Sequence, residues 1–428
     1  MAEREFRPAE ILIDRGFDGE FSWERINQLC RLFSDDEVLQ EFIYKSQIAD
    51  NALDLKRGEF YPEILRAVLS LKRTLSTVYD IDLLQVHPNF GSNGSIDTIL
   101  AAAKVQETRQ QAQFQKAIFQ AIAGIIESKL TSDEKIREIS RISAELETKR
   151  PRGGALFTSP TYFRNYNSAA AKQLAIHLVP LKEDFEFNAA KFVAEMKRLN
   201  PTVVFLVTPN NPTGLPVADE EITLVLDNLP EGCWVVIDRT LVNTRPEATS
   251  RELLHRYPHK DLIILHSFSK YRGMSHHRIG VALYSNQSLA RTVQPHLPLG
   301  LGLEGCIKAN KIVLDEGGLF PTQRVLANIR ANRATLADFV RQQPSFSFTD
   351  FAGNYGLLLL PRGLESMEVS SELASHGLFA MGGHDFPERN TAVVRLHTGG
   401  PPEYFERMCK LLAARFGQPR DGGKGEPL

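Results

Sequence analysis

The strongest constraint on the fold of this chain is the regular alternation of short β-branched runs with helical stretches through its middle. Such alternation is typical of an α/β domain with a largely parallel sheet. Several runs are apolar at both odd and even positions, which we expect when helices cover both faces of a sheet. The predicted strands are 153–160, 175–181, 202–210, 233–238, 261–268 and 279–285.

Polar residues collect directly after these runs. Ser159, Asn211 and Asp238 each follow or end a predicted strand, and the segment from Ser267 to Lys270 closes another. In an open α/β sheet, ligands bind outside the carboxyl ends of the strands. The sequence therefore predicts a ligand site at this edge.

The length of 428 residues suggests two or three domains. We expect residues 71–319 to form a large domain. Residues 1–70 and 320–417 are expected to form a smaller α+β domain from both chain ends. The tail, 418–428, is rich in Gly, Pro and charge and is expected to be disordered.

A helical insertion is expected within the large domain at about 97–149. It contains few helix breakers and divides into two predicted helices, about 97–129 and 132–149. Its amphipathic pattern favours packing on the domain, with a substrate lid or a partner surface as the alternative.

Charge and cysteine content limit the kinds of ligand and partner that we expect for this chain. Fifty basic and 52 acidic residues give a net charge of −2, so neither nucleic acid nor an anionic membrane is indicated as a partner. No apolar run is long enough to cross a bilayer, and the charged start lacks the apolar middle of a secretory signal. We therefore expect a cytoplasmic protein with a small-molecule ligand. The four cysteines are scattered, and no metal site is predicted.

The segment SFSKYRGMSHHRIG, residues 267–280, carries the strongest chemical signal. Lys270 follows an apolar strand beside Ser267 and Ser269, and Arg278 comes eight residues later. Desolvation and a neighbouring cation favour a neutral amine, the form that attacks a carbonyl to make a Schiff base. One guanidinium and two hydroxyls would also suit a phosphate.

A second signal is TPNNPTG, 208–214, followed by a strand that ends at Asp238. Taken alone, the first motif predicts only a turn. A carboxylate at the end of a buried strand is usually paired with a cation, because burying it alone is expensive. The ring nitrogen of a pyridine is one suitable cation.

These motifs together resemble the class I/II aminotransferases, the fold type I enzymes that use pyridoxal 5′-phosphate (PLP). The spacings of 27 residues from Asn211 to Asp238 and 32 from Asp238 to Lys270 are of the kind that family shows. The resemblance extends from about residue 55 to 400. It implies the PLP-dependent transferase fold, with a mostly parallel mixed sheet in the large domain and a smaller α+β domain.

The resemblance also implies roles for three residues. Lys270 would be the Schiff-base lysine and the base that moves the proton at the substrate α-carbon. Asp238 would pair with the protonated pyridine nitrogen, and Asn211 would donate to the phenolic oxygen of the ring.

Other positions would bind the rest of the cofactor. Gly94, Ser95 and Ile96 look like the family's phosphate loop at a helix start. They would bind the phosphate together with Arg278 and the two serines named above. Tyr162 would stack on the ring. Tyr61 is similar in place to a tyrosine that reaches the phosphate in the partner subunit, which would imply a homodimer.

Arg395 lies in a short apolar strand, where a charge needs a partner. It looks like the family's arginine for the substrate α-carboxylate, which would make the substrates an α-amino acid and a keto acid. The alternative is a structural ion pair.

One position departs from the family pattern. Many members carry a tyrosine three residues after the aspartate, but this chain has Leu241, which cannot donate a hydrogen bond. We predict a PLP-dependent aminotransferase, with other PLP chemistry on an amino acid as the alternative: decarboxylation, elimination or cyclisation, or oxygen-dependent oxidation. A non-catalytic binding protein on the same fold is the second alternative.

Overall fold

The computed structural model describes residues 61–148, 153–241, 247–270, 272–297, 301–314, 320–383, 386 and 390–417. Most of the predicted N-terminal segment, including Cys30, and the predicted disordered tail lie outside these ranges.

Helices and strands alternate through the first two thirds of the described chain. They are α1 Tyr61–Tyr79, β1 Val86–Phe90, α2 Gly91–Glu127, α3 Ser132–Thr148, β2 Ala155–Ser159, α4 Phe163–Ala171, β3 Ile176–Pro180, α5 Ala189–Leu199, β4 Val203–Val207, α6 Asp219–Asp227, β5 Trp234–Asp238, α7 Glu247–Arg256, β6 Leu262–Ser267, β7 Ile279–Tyr284, α8 Gln287–Val293 and α9 Leu303–Leu314. The C-terminal third contains α10 Phe320–Gln342, β8 Ser347–Phe348, β9 Tyr355–Leu359, α11 Ser366–Ser375, β10 Met381–Gly382, β11 Val393–His397 and α12 Pro402–Phe416.

A seven-stranded sheet with the order β1-β7-β6-β5-β4-β2-β3 forms the centre of the molecule. The five strands from β6 to β3 are parallel, and β7 runs antiparallel to both β6 and β1. The predicted largely parallel sheet is confirmed, and each predicted strand corresponds to one of β2 to β7. Strand β1 was not predicted, because its sequence VHPNF contains a proline and two polar residues.

The central strands are buried on both faces. In β4, Val204 and Leu206 belong to the apolar core on one face, whereas Val203 and Phe205 belong to the core on the other. Burying one such side chain contributes about 1.5–3 kcal/mol to stability. Double burial therefore explains why these strands are apolar at every position.

Helices α2 and α3 form the predicted helical pair, although α2 begins earlier than predicted. Ile96, Ile99 and Leu100 in its first turns pack in the core of the sheet. Further along, Phe119 and Ile136 on the two helices are exposed. Packing of this pair on the domain remains the prediction, with a lid or a partner surface as the alternative. None of the described helices is both long and apolar enough to cross a bilayer.

A smaller antiparallel sheet, with the order β10-β11-β9-β8, follows in the C-terminal third. Its core includes Leu336 of α10, Val394 of β11 and Phe405 of α12. In α1, Leu71, Leu75 and Tyr79 pack instead in the core of the seven-stranded sheet. The predicted boundary after residue 70 therefore falls inside α1, and the domain division remains a prediction.

Strand β7 and the start of α2 approach each other more closely than a side chain allows. A Cβ atom on Gly280 would lie 2.5 Å from the carbonyl carbon of Gly91 and 2.8 Å from the amide nitrogen of Ser92. These are backbone atoms, which cannot rotate away. Glycine at 280 is thus required to bring the N-terminus of α2 against the sheet.

We expect Gly280→Ala to lower the free energy of unfolding by about 1–3 kcal/mol, the usual cost of overpacking. Gly124→Ala is the matched control, because nothing lies within 4 Å of a Cβ at that exposed position of α2. It should stabilise the protein by up to about 1 kcal/mol through helix propensity. Denaturant unfolding of both variants measures the difference, and equal stability of the two would contradict the close approach.

Candidate active site

A cavity of about 310 Å³ opens at the carboxyl edge of the seven-stranded sheet. Asn211, Asp238 and Lys270 line it from the segments that end β4, β5 and β6. Strand β7 is antiparallel, so the residue that precedes it, Arg278, reaches the same edge. Arg395 enters from β11 of the smaller sheet.

Asp238 is a buried carboxylate that has no basic side chain beside it in the part of the chain that the structure describes. It is the last residue of β5, its exposed fraction is 2%, and its Oδ1 accepts a hydrogen bond from the Thr240 amide at 2.9 Å. Burial raises the pKa of this carboxyl, and the hydrogen bonds from Thr240 oppose that rise. Among the described residues no basic side chain contributes to its pKa. A cationic ligand group would complete this site.

Asn211 and Arg395 meet across the cavity. Nη1 of Arg395 donates to Oδ1 of Asn211 at 3.0 Å. This bond orients the amide so that its Nδ2 hydrogens are left for an acceptor on a ligand. Burial lowers the pKa of Arg395, with Tyr355 and Tyr162 opposing. In the described chain no carboxylate pairs with Arg395, so the alternative of a structural ion pair is not supported there.

The side chain of Lys270 reaches a tyrosine of the smaller sheet. Its Nζ donates to the Tyr355 hydroxyl at 3.0 Å and lies 5.4 Å from the centre of that ring. The guanidinium carbon of Arg395 lies 4.5 Å from the same ring centre. Tyr355 therefore contacts both Lys270 and Arg395 on the cavity wall.

Arg278 meets the N-terminus of α2 at one corner of the cavity. Its Nη1 donates to Ser269 Oγ at 3.3 Å and to the Ser275 carbonyl at 3.2 Å. A Cβ on Gly91 would lie 2.9 Å from Arg278 Nη2, so the guanidinium sits against the first turn of the helix. Free helical N–H groups, a cation and serine hydroxyls suit a phosphate.

Tyr162 and Asn93 form part of the cavity wall. The Tyr162 hydroxyl donates to Asn93 Oδ1 at 3.0 Å, and burial raises the pKa of Tyr162. The ring of Phe163 packs against that of Tyr162 with centroids 5.3 Å apart. This wall offers an aromatic surface to a planar ligand.

The structure brings most of the predicted site residues together. Those that line the cavity are Tyr162, Asn211, Asp238, Ser267, Ser269, Lys270, Arg278 and Arg395. Gly94, Ser95 and Ile96 do not line it, and Ile96 points into the apolar core. Tyr61 is the first residue of α1, and its side chain lies outside the described part of the chain.

Sequence reasoning missed five polar residues that line the cavity: Ser92, Asn93, Thr240, Ser275 and Tyr355. Ser92 and Asn93 occupy the first turn of α2, the place assigned to residues 94–96. Recognition of β1 would have placed the helix start there. For Tyr355, 85 residues from Lys270, the sequence carries no local signal.

Leu241 and the adjacent histidines His276 and His277 lie at or near the site. Leu241 is buried and lines the cavity, so no hydrogen-bond donor is present at that side chain. His276 is exposed, whereas the largely buried His277 lies 3.9 Å from Glu304. The centroids of the two imidazole rings lie 3.8 Å apart, and neither histidine lines the cavity.

Comparison with known proteins places the chain in a family. The model of "aminotransferase class I and II" matches residues 146–412, more than half of the chain. A histidinol-phosphate aminotransferase from Vibrio parahaemolyticus is 30% identical over 212 residues, which cover 49% of this chain and 59% of that relative. The matched stretch thus spans less than two thirds of that relative's length.

Solved structures show the same fold. The histidinol-phosphate aminotransferase of Clostridium acetobutylicum superposes with a TM-score of 0.63 at 13% identity, over 82% of this chain and 92% of that one. The enzyme of that name from Sinorhizobium meliloti, solved in complex with pyridoxal 5′-phosphate, has a TM-score of 0.57 at 18% identity, over 83% and 86%. The fold is confirmed as that of the fold type I enzymes, and the chain belongs to the class I and II aminotransferase family.

Proposed function

We propose that this protein is a PLP-dependent aminotransferase that acts on an α-amino acid and a keto acid, with Lys270 as the residue that attaches the cofactor. One observation supports this above all. A buried carboxylate without a basic partner among the described residues, Asp238, an amine, Lys270, and a half-buried guanidinium, Arg395, line one cavity. Family membership supports transamination over the other reactions considered from the sequence.

The residues present fit PLP. The protonated ring nitrogen would supply the cation that Asp238 lacks among the described residues. Arg278, Ser269 and the first turn of α2 would hold the phosphate, with Ser267 also on the cavity wall. Tyr162 would lie against the ring, and Asn211 Nδ2 would donate to the phenolic oxygen. We propose Ser92 and Asn93, rather than residues 94–96, as the helix residues nearest the phosphate.

When bound, PLP supplies an aldehyde for an amine and a ring that withdraws electrons from the substrate α-carbon. The charge on Asp238 would keep the ring nitrogen of the bound cofactor protonated. Lys270 Nζ accepts and returns the proton at the α-carbon. Arg395 binds the two oxygens of the substrate carboxylate with two of its guanidinium nitrogens and so fixes the α-carbon beside Lys270.

Transamination needs two substrates in turn, and Arg395 indicates that at least one carries a carboxylate. Relatives are named histidinol-phosphate aminotransferase. Histidinol phosphate carries a phosphorylated alcohol where an amino acid has its α-carboxylate. Histidinol phosphate is therefore the first alternative amine to test beside amino acids.

A homodimer and a cytoplasmic location are further proposals. The dimer rests on the place of Tyr61 in the sequence, at the start of α1. The location rests on the ordinary globular composition of the chain.

We expect the protein to bind PLP with a visible absorption band, and borohydride reduction should fix the cofactor on Lys270. Peptide mass spectrometry locates the tag. Lys270→Ala should lose the band, whereas Lys191→Ala, at an exposed site on α5, should keep it. A tag on another lysine, or no band in the wild type, would refute the proposed function.

Asp238→Asn should have opposite effects on the free and loaded protein. The pKa of Asp238 is raised in the folded state, so its ionisation costs stability at high pH, and this cost disappears as pH falls below the unfolded value. The variant should therefore raise the unfolding midpoint of cofactor-free protein at about pH 8, with the gap closing toward about pH 4.

The same variant should weaken PLP binding by at least about tenfold, since it removes the partner of the ring nitrogen. Asp133→Asn, at an exposed position of α3, is the control. Thermal unfolding and equilibrium dialysis measure the two effects. A destabilised free protein or undiminished PLP affinity would count against the role of Asp238.

Arg395→Lys should raise KM for the amino acid by about 10- to 100-fold, since a bidentate charged hydrogen bond contributes about 1.5–3 kcal/mol. PLP should still attach to Lys270. Histidinol phosphate, which lacks the carboxylate, should be affected much less. Arg341→Lys, on the exposed end of α10, is the control. An unchanged KM for amino acids would refute the assigned role.

A further inference from the structure

We propose that Tyr355 is a positioning residue for Lys270: its hydroxyl, held in place by the 208–214 turn, binds the ε-amine and directs it into the cavity. This inference rests on the proposed function. Tyr355 comes from the smaller sheet and is not part of any motif noted in the sequence.

The contact itself is direct. Lys270 Nζ lies 3.0 Å from the Tyr355 hydroxyl, and both side chains line the cavity. A hydroxyl can accept from an ammonium and can donate to the lone pair of a neutral amine. Tyrosine can therefore bind the Lys270 amine before and after it loses a proton. A catalytic amine that alternates between these states needs such a partner.

The backbone of Tyr355 is held by the turn that carries Asn211. A Cβ on Gly214 would lie 2.0 Å from the Tyr355 carbonyl oxygen, and Gly214 has a φ of +74°. Only glycine allows both this conformation and this approach. The Ala352 amide donates to the Gly214 carbonyl at 2.9 Å, and Thr349 Oγ1 donates to the Thr213 carbonyl at 2.6 Å. The turn thus fixes the segment that leads into β9.

Two further contacts hold the same segment. Thr398 donates from its amide to the Asn354 carbonyl at 3.0 Å and from its hydroxyl to the Gly353 carbonyl at 3.0 Å. A Cβ on Gly353 would lie 3.4 Å from the Leu241 carbonyl oxygen, so Leu241 packs closely against it. Tyr355 is therefore held from the 208–214 turn, from the residue after β11 and from the segment after β5.

Charged groups surround the Tyr355 ring. Arg395 and Lys270 lie over it, and His397, its cross-strand neighbour on β11, contacts its edge with centroids 5.4 Å apart. Burial together with Lys270 and Arg395 lowers the pKa of His397. Within this cluster, the Tyr355 hydroxyl is the group that accepts a hydrogen bond from the Lys270 amine.

Tyr355→Phe tests the proposal, because it keeps the ring and removes only the hydroxyl. We expect PLP to attach to the cofactor-free variant about tenfold more slowly, and kcat to fall at least tenfold with KM for the amino acid changed less than threefold. The unfolding midpoint should stay near that of the wild type. Tyr257→Phe, which removes a hydroxyl bonded to Asp227 away from the cavity, is the control.

Gly214→Ala provides a second variant. The added Cβ should displace the Tyr355 backbone, so it should also slow PLP attachment, with the Tyr355 side chain intact. Wild-type attachment rates and kcat in Tyr355→Phe would overturn the proposal. A wild-type attachment rate in Gly214→Ala would overturn the part assigned to the turn.

A measurement without cofactor separates this inference from the proposed function. Acetic anhydride labelling of cofactor-free protein, read by peptide mass spectrometry against Lys191, reports how freely the Lys270 amine reacts. We expect at least twofold faster labelling of Lys270 in Tyr355→Phe, because the amine is no longer held. Unchanged labelling would overturn the contact even if PLP binds. Failure of the wild type to bind PLP would refute the proposed function, with the labelling result still deciding the contact.

Discussion

Burial of the central strands on both faces is the constraint on which the rest of the structure depends. Because β4, β5 and β6 are covered by helices on either side, polar groups of these strands can meet a ligand only at the carboxyl edge. Asp238, at the end of β5, is therefore both deeply buried and close to the cavity. Its charge is costly there unless a cation arrives. The cofactor proposed above supplies that cation.

The 208–214 turn links the two sheets. Its asparagine accepts a hydrogen bond from Arg395 of β11, and its glycine admits the backbone of Tyr355 at the start of β9. The side chains proposed to bind substrate and to orient Lys270 are thus held by the same segment that is proposed to bind the cofactor ring. A small shift of the smaller sheet would alter all these contacts together.

The sequence predicted the parallel strands well because each one carries a continuous apolar run with turn residues after it. It was less successful at β1, where Pro88 and the buried His87 and Asn89 conceal a strand. The start of α2 was consequently placed at about residue 97 instead of Gly91. The predicted phosphate loop, residues 94–96, directly follows Ser92 and Asn93, the residues of this helix start that line the cavity.

The sequence by itself determined the α/β pattern, the lysine, aspartate and asparagine at strand ends, and the family they resemble, since each depends on neighbours close in the chain. Only the tertiary structure decided which groups meet from distant segments. Asn211 and Arg395 are 184 residues apart, and Lys270 and Tyr355 are 85 apart. Such contacts arise from how two sheets pack on each other, and no local spacing records that geometry.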